Sequence, residues 1–243
     1  MPRKFWIPIV AVAALAVLGG GGAYAYYFSG LRTAPPTLAL ASPSASASAT
    51  ASASSTATGG TGTWTITTGS LAGYRVKEQF VGQSSTHEAV ARTSNVTGQV
   101  SITKSGTTYQ LTSATVTVQL GNLASVDQVA GYNVTNRDRI VQGSLGVSSF
   151  PTAVFVAQTV TLPAGVETGQ TVNVMVPGQL TIHGVIKDIT ANLQLRVSGT
   201  TAQIAGTIAT NMTDFGISPP SIGFTTVQPA VTIEVSLNLA QGA

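Results

Sequence analysis

From Trp64 onward, apolar and polar residues alternate with a period of two. Ala114, Val116, Val118 and Leu120 fall on one face of an extended chain, with Thr115, Thr117 and Gln119 on the other. The same pattern sets Val172, Val174 and Val176 against Thr171, Asn173 and Met175, and Leu193, Leu195 and Val197 against Asn192, Gln194 and Arg196. It returns near the end, where Val231, Ile233, Val235, Leu237 and Leu239 oppose Thr232, Glu234, Ser236 and Asn238. Strict alternation rich in Val, Ile and Thr predicts half-buried antiparallel strands. Lys104-Ser105-Gly106, Pro163-Ala164-Gly165, Pro177-Gly178 and Ser198-Gly199 supply turn signals between the runs. About eight strands with short turns predict a sandwich or a closed barrel. The stretch Leu123–Gly146 breaks the alternation, and its centre, Asn136 to Val141, predicts a short helix over one end of the strands.

Upstream the pattern changes twice. Residues 29–62 are almost entirely Ser, Ala, Thr, Pro and Gly, with Arg32 the one charge. Such a composition buries too little apolar surface to offset the entropy of ordering, so a disordered linker is expected. It would serve as a spacer or tether of about 32 Å mean span, and its Ser, Thr and Pro content suits O-glycosylation. Before it, Phe5–Phe28 carries no charge over 24 residues. As a helix that run would be about 36 Å long, enough for a hydrocarbon core of about 30 Å. Arg3 and Lys4 precede it, placing the N-terminus inside and the rest of the chain outside. Trp6 and the Tyr24, Tyr26, Tyr27 group would form the two interfacial belts. The alternative is a cleaved signal peptide, with apolar run Phe5–Leu18, helix-weakening Gly19–Gly22 and cleavage after Ala25. On either reading the β domain lies outside the cytoplasm. The organisation expected is therefore a membrane anchor over residues 1–28, a linker over 29–62 and one β domain over 63–243.

Charge looks at first like that of a basic protein, with 11 Lys+Arg against 8 Asp+Glu. Arg3, Lys4 and Arg32 flank the hydrophobic segment, however, and the eight remaining cations match the eight acids, all beyond residue 64. The domain is formally neutral, which argues against a nucleic-acid partner, since phosphate binding needs a basic surface. The absence of Cys removes disulfides, thiol catalysis and thiolate metal sites.

Five short blocks then occur in order. They are Trp64-Thr65-Ile66 with Tyr74-Arg75-Val76-Lys77, Arg137-Asp138, Phe150-Pro151-Thr152-Ala153-Val154-Phe155, Gly178-Gln179-Leu180-Thr181-Ile182-His183-Gly184-Val185, and Asp214-Phe215-Gly216-Ile217. In these blocks the chain resembles the YceI-like family from Trp64 to about Leu239. It departs from the family at Thr67-Thr68 and Glu78, where acidic and His residues are common, and at Gly143–Gly146 before the Pro-Thr block. The resemblance implies a lipocalin-like antiparallel barrel of about eight strands around a long apolar ligand such as a polyisoprenoid or isoprenoid quinone. Residues expected at the barrel interior or mouth are Val116, Val118, Arg137, Phe155, Val174, Ile182, Leu193 and Phe215. Arg137 is read either as an ion pair with Asp138 that pins the irregular segment or as a contact for a polar head group, and Phe155 and Phe215 as core or as pocket wall.

Catalytic motifs are weak by comparison. Ser101-Ile102-Thr103-Lys104 spells Ser-x-x-Lys, but it alternates as a strand, whereas acyl-transfer chemistry places that pair on a helix. His87 and His183 are the two available bases, expected in a polar loop and at a turn; two His without Cys supply few metal ligands. The Asn-x-Ser/Thr sites at Asn95, Asn133 and Asn211 matter only in a host that glycosylates them. The function expected is a non-enzymatic binding protein for an apolar lipid, tethered to the membrane, with no cofactor and with room for a homodimer through an exposed sheet face. The alternative is a structural or interaction module whose barrel is filled by its own side chains.

Overall fold

The computed structural model describes residues 34–41, 61–82, 86–128 and 134–242. Its strands are β1 (Gly62–Ile66), β2 (Leu71–Phe80), β3 (His87–Thr93), β4 (Val96–Ser105), β5 (Thr108–Gln119) and β6 (Ala124–Ser125), followed by helix α1 (Val134–Ser144). After the helix come β7 (Thr152–Ala157), β8 (Val160–Thr161), β9 (Val172–Ile182), β10 (Val185–Ser198), β11 (Thr201–Asn211), β12 (Ser221–Ile222) and β13 (Thr225–Gln241).

Every pairing is antiparallel, and the circuit β1-β4-β5-β7-β9-β10-β11-β13 returns to β1, giving a closed eight-stranded barrel. β13 makes the closure. One edge pairs with β11 from Asn211↔Ala230 to Thr201↔Ala240, while the other pairs with β2 over its first part and with β1 at Ile66↔Leu239 and Trp64↔Gln241. β2 carries β3 and the short β6 beyond it. A register shift between Val227 and Val231 bends β13 where it passes β2.

The predicted alternation holds in the structure. Ala114, Val172, Val176, Leu195, Val197, Leu237 and Leu239 are buried in the main core with Trp64, which is 1% exposed. A second group, Leu180, Phe215 and Ile217, closes the end near the Gly216 turn. The helix expected around residues 136–141 is α1. One expected turn is not a turn: Pro177-Gly178 lies inside β9, paired with Thr190 and Ile189 of β10. Pro177 is tolerated because β7 ends at the pair Ala157↔Gly178, one position away. Glycine is required next to it, since a Cβ on Gly178 would lie 2.5 Å from the Val156 carbonyl oxygen and 2.6 Å from the Phe155 ring.

No helix among the described residues is long and apolar enough to cross a membrane. The expected anchor over residues 1–28 lies outside the described residues, as does most of the linker. Residues 34–41 of that linker, by contrast, run over the outside of the barrel. Arg75 Nη2 donates to the Pro35 carbonyl, Arg92 Nη2 to Pro36 at 2.6 Å, and Arg196 Nη2 to Ala41. The Leu38 N–H donates to Glu234 Oε2 at 3.1 Å. Composition alone predicts disorder here; three Arg side chains and one carboxylate, far away in sequence, supply the partners that fix it. Glu234 ends up fully buried on the outer face, bonded to Arg75 Nε at 2.8 Å and Arg92 Nε at 2.7 Å. Burial opposes its ionisation, but the bonds from Arg92, Arg75 and Leu38 outweigh that and hold it below the usual carboxylate range.

Leu38→Pro removes the N–H given to Glu234 and is expected to cost about 1 kcal/mol. That corresponds to roughly 2–4 °C in Tm by circular dichroism. Leu38→Ala, which keeps the N–H, should cost less. Equal losses would show that the Leu38 side chain, not the bond, holds the segment.

Candidate functional site

Inside the barrel is a cavity of about 270 Å³. Val100, Ile102, Leu111 and Leu162 line it, as do Ile140, Val141 and Leu145 from the α1 side. Val116, Val118, Arg137, Phe155, Val174, Ile182, Leu193 and Phe215 all lie on its wall. The alternation explains the convergence, because inward positions of neighbouring strands meet across the pleat at Val116↔Phe155 and Val174↔Leu193. Phe215 is at once core, at 1% exposure, and cavity wall, so the two readings of it were not exclusive. Ile182 ends β9, where the hairpin turns through His183 at φ 52° and Gly184 at φ 73°. The His183 ring packs edge-on against Phe150, 4.9 Å between centroids, and its Nδ1 lies 3.2 Å from the Phe215 carbonyl. That is the turn position expected of it.

Among the described residues, Glu78 and Arg137 are the two charged ones that line the cavity. Arg137 reaches in from α1. Its Nη1 donates to Glu78 Oε1 at 3.0 Å, its Nη2 to Asp127 Oδ1, and its Nε and Nη2 to Ser125 Oγ at 3.2 and 2.8 Å. Asp127 is 2% exposed, and it also accepts the Val90 N–H at 3.0 Å and faces His87 Nε2 at 2.8 Å. The expected Arg137–Asp138 ion pair does not form. Adjacent helical residues diverge by about 100° around the axis, so Asp138 turns to Ser125 and accepts from its N–H at 3.0 Å and its hydroxyl at 2.5 Å. Both residues still pin the irregular segment, through Ser125. His87 is likewise not a loop residue. It begins β3, is 5% exposed, and its partner Asp127 lies 40 residues away, beyond the reach of local pattern.

Burial sets the ionisation of this cluster. It pushes Glu78 up, with Arg137 opposing, and pushes the Tyr74 phenol up against the pull of the same guanidinium. Burial would raise Asp127 too, but bonds from His87, Arg137 and the Val90 N–H outweigh it and hold the carboxyl at about 2. Sequence reasoning missed Tyr74, Glu78 and Thr225 on the cavity wall and Asp127 beside Arg137. For Tyr74 and Glu78 the signal was present, since both occupy the inward register of β2 with Ala72, Val76 and Phe80.

Ser101–Lys104 lies on strand β4, with Lys104 Nζ 4.8 Å from the Tyr109 ring centroid. No group of three or more His, Asp or Glu suited to a metal ion occurs among the described residues.

Arg137→Leu leaves Asp127 buried without its cation and should destabilise the protein by about 3–5 kcal/mol, read by urea denaturation. Asp127 and Glu234, both held low, contribute in full above their unfolded values and lose that contribution as pH falls through their folded values. Glu78, held high, has the opposite sign: its contribution is present below its unfolded value and lost as pH rises through the folded one. Two groups oppose one, so Tm should fall between about pH 4 and pH 2. Asp127→Asn should flatten that fall while lowering Tm at neutral pH; an unchanged slope would remove Asp127 from the account.

Comparison with known proteins fits this architecture. Solved structures similar to this chain include a polyisoprenoid binding domain from Saccharophagus degradans, 14% identical, covering 74% of this chain and 98% of that one at TM-score 0.53. Burkholderia cenocepacia BcnA is 20% identical over 68% of this chain and 95% of its own, at TM-score 0.46. The Campylobacter jejuni YCEI protein is 17% identical over 67% and 84%, at TM-score 0.35. No curated protein matches the chain. The model of the YceI-like domain matches residues 64–239, from the buried Trp64 to Leu239 of the closing strand, and the chain belongs to the YceI-like family.

Proposed function

We propose that this protein is a binding protein for a long apolar lipid, such as a polyisoprenoid or isoprenoid quinone, and that it acts without catalysis. The observation that carries this reading is the hollow, apolar barrel interior. A barrel filled by its own side chains would favour the interaction-module alternative, and here the inward residues leave about 270 Å³ open. Eight strands give an interior that admits one slender ligand. Each methylene moved from water into such a lining contributes about 0.8 kcal/mol, before the entropy of association is subtracted. Family membership and the fold shared with the Saccharophagus degradans polyisoprenoid binding domain support the same reading.

The sequence supports a location at the outer face of a membrane. The uncharged run Phe5–Phe28, preceded by Arg3 and Lys4, would hold the barrel at the outer face of a membrane, where such lipids reside. Segment 34–41, lying on the barrel wall, would shorten the tether to fewer free residues than composition suggests.

Protein purified from its membrane and extracted with organic solvent should release a prenyl lipid detectable by mass spectrometry. Leu193→Trp, which fills the cavity from its wall, should lower the recovered lipid at least ten-fold while the far-ultraviolet dichroism stays β-rich. No lipid from the unsubstituted protein, together with no thermal shift on adding isoprenoid quinones, would overturn the proposal.

A further inference from the structure

We infer that the ligand this cavity selects ends in a neutral hydrogen-bonding oxygen, an alcohol or a carbonyl, and that a phosphate or diphosphate head is excluded. The inference rests on the lipid-binding reading above and specifies the head group. Its basis is the balance of charge at the cavity's polar end. Among the described residues Arg137 is the cation on the cavity wall, and its guanidinium is already committed to Asp127, Glu78 and Ser125. Two carboxylates therefore face one guanidinium in a buried setting. A diphosphate would add two or three negative charges with no uncommitted cation among the described wall residues to meet them, and burying unpaired charge in an apolar enclosure is costly.

What the wall does offer is neutral hydroxyl groups, one of them without a partner. Thr225 is 5% exposed, and its Oγ1 has no hydrogen-bond partner among the described residues. It sits two positions from Val227, the β13 partner of Glu78, which makes it a diagonal neighbour of Glu78 across the pair. Tyr74 also lines the cavity, within the field of Arg137, and presents a second neutral hydroxyl. Buried polar groups rarely remain unpaired without a reason. Two neutral donors beside a closed ion network match an oxygen that accepts a hydrogen bond and brings no charge. The apolar remainder of the cavity takes the tail.

The test uses the full chain in lipid nanodiscs, with three probes of one C15 tail: farnesol, farnesyl diphosphate and the hydrocarbon farnesane. An equimolar mixture is added, the protein is repurified, and retained probe is quantified by mass spectrometry against empty nanodiscs. Farnesol should be retained at least ten-fold over the diphosphate. Thr225→Val and Tyr74→Phe should each lower farnesol retention three- to ten-fold and leave farnesane retention unchanged, while Thr225→Ser should preserve it. Thermal melts confirm that each variant is folded. Diphosphate retained as well as farnesol, or farnesol retention unchanged in both hydroxyl-deleted variants, overturns the inference while farnesane retention leaves the lipid-binding reading standing. Retention of none of the three probes overturns both.

Discussion

A sheet of this length must dispose of its edges, and here one strand does so. β13, 17 residues long, pairs with β11 along one side and with β2 and then β1 along the other. Closure leaves no open edge in the main circuit for another chain to pair with. It also fixes the diameter, because strand number and tilt together determine how wide the interior is. The cavity is a consequence of that geometry. Inward side chains of Val, Ile, Leu and Ala length cannot meet across eight strands, so the centre stays open where no aromatic reaches it.

The closing arrangement also separates two sets of buried charge. On β2, successive residues go to opposite sides of the wall: Tyr74 and Glu78 inward, Arg75 outward. Inside, Glu78 joins Arg137, Asp127 and His87 beneath α1. Outside, Arg75 joins Arg92 and Glu234 under residues 34–41. Each set is nearly saturated with hydrogen bonds, which is what allows ionised groups to persist at low exposure. The inner set gives the cavity a polar end, and the outer set captures a segment of the linker. A domain with so few charges thus places a large share of them in these two networks.

Much of the architecture could be read from the chain. Period-two runs such as Val231–Leu239 identified strands and their inward faces, and the break from Leu123 to Gly146 identified α1. The eight residues read as barrel interior or mouth line the cavity, because they occupy the inward register of their elements. What misled was local context. Pro177-Gly178 has the composition of a turn but sits within β9, because β7 ends beside it and the Phe155 ring needs the space. His87 stands among polar neighbours, yet Asp127 draws it into a buried pair. Arg137 and Asp138 are adjacent in sequence yet do not pair with each other; they meet only through Ser125, and Arg137 reaches on to Glu78 and Asp127.

Alternation, composition and short motifs depend on neighbours within a few residues, so the sequence by itself determined the fold class, the inward faces, the neutral character of the domain and the family. Contacts between distant residues are of another kind. That Glu234 would be buried on an outer face, that residues 34–41 would lie along the wall, and that Glu78, Asp127 and Arg137 would share one site were decided only in three dimensions. The reason is sequence separation: Leu38 and Glu234 are 196 positions apart, and Glu78 and Arg137 59. No periodicity carries information over such distances; closure of the barrel brings the partners together.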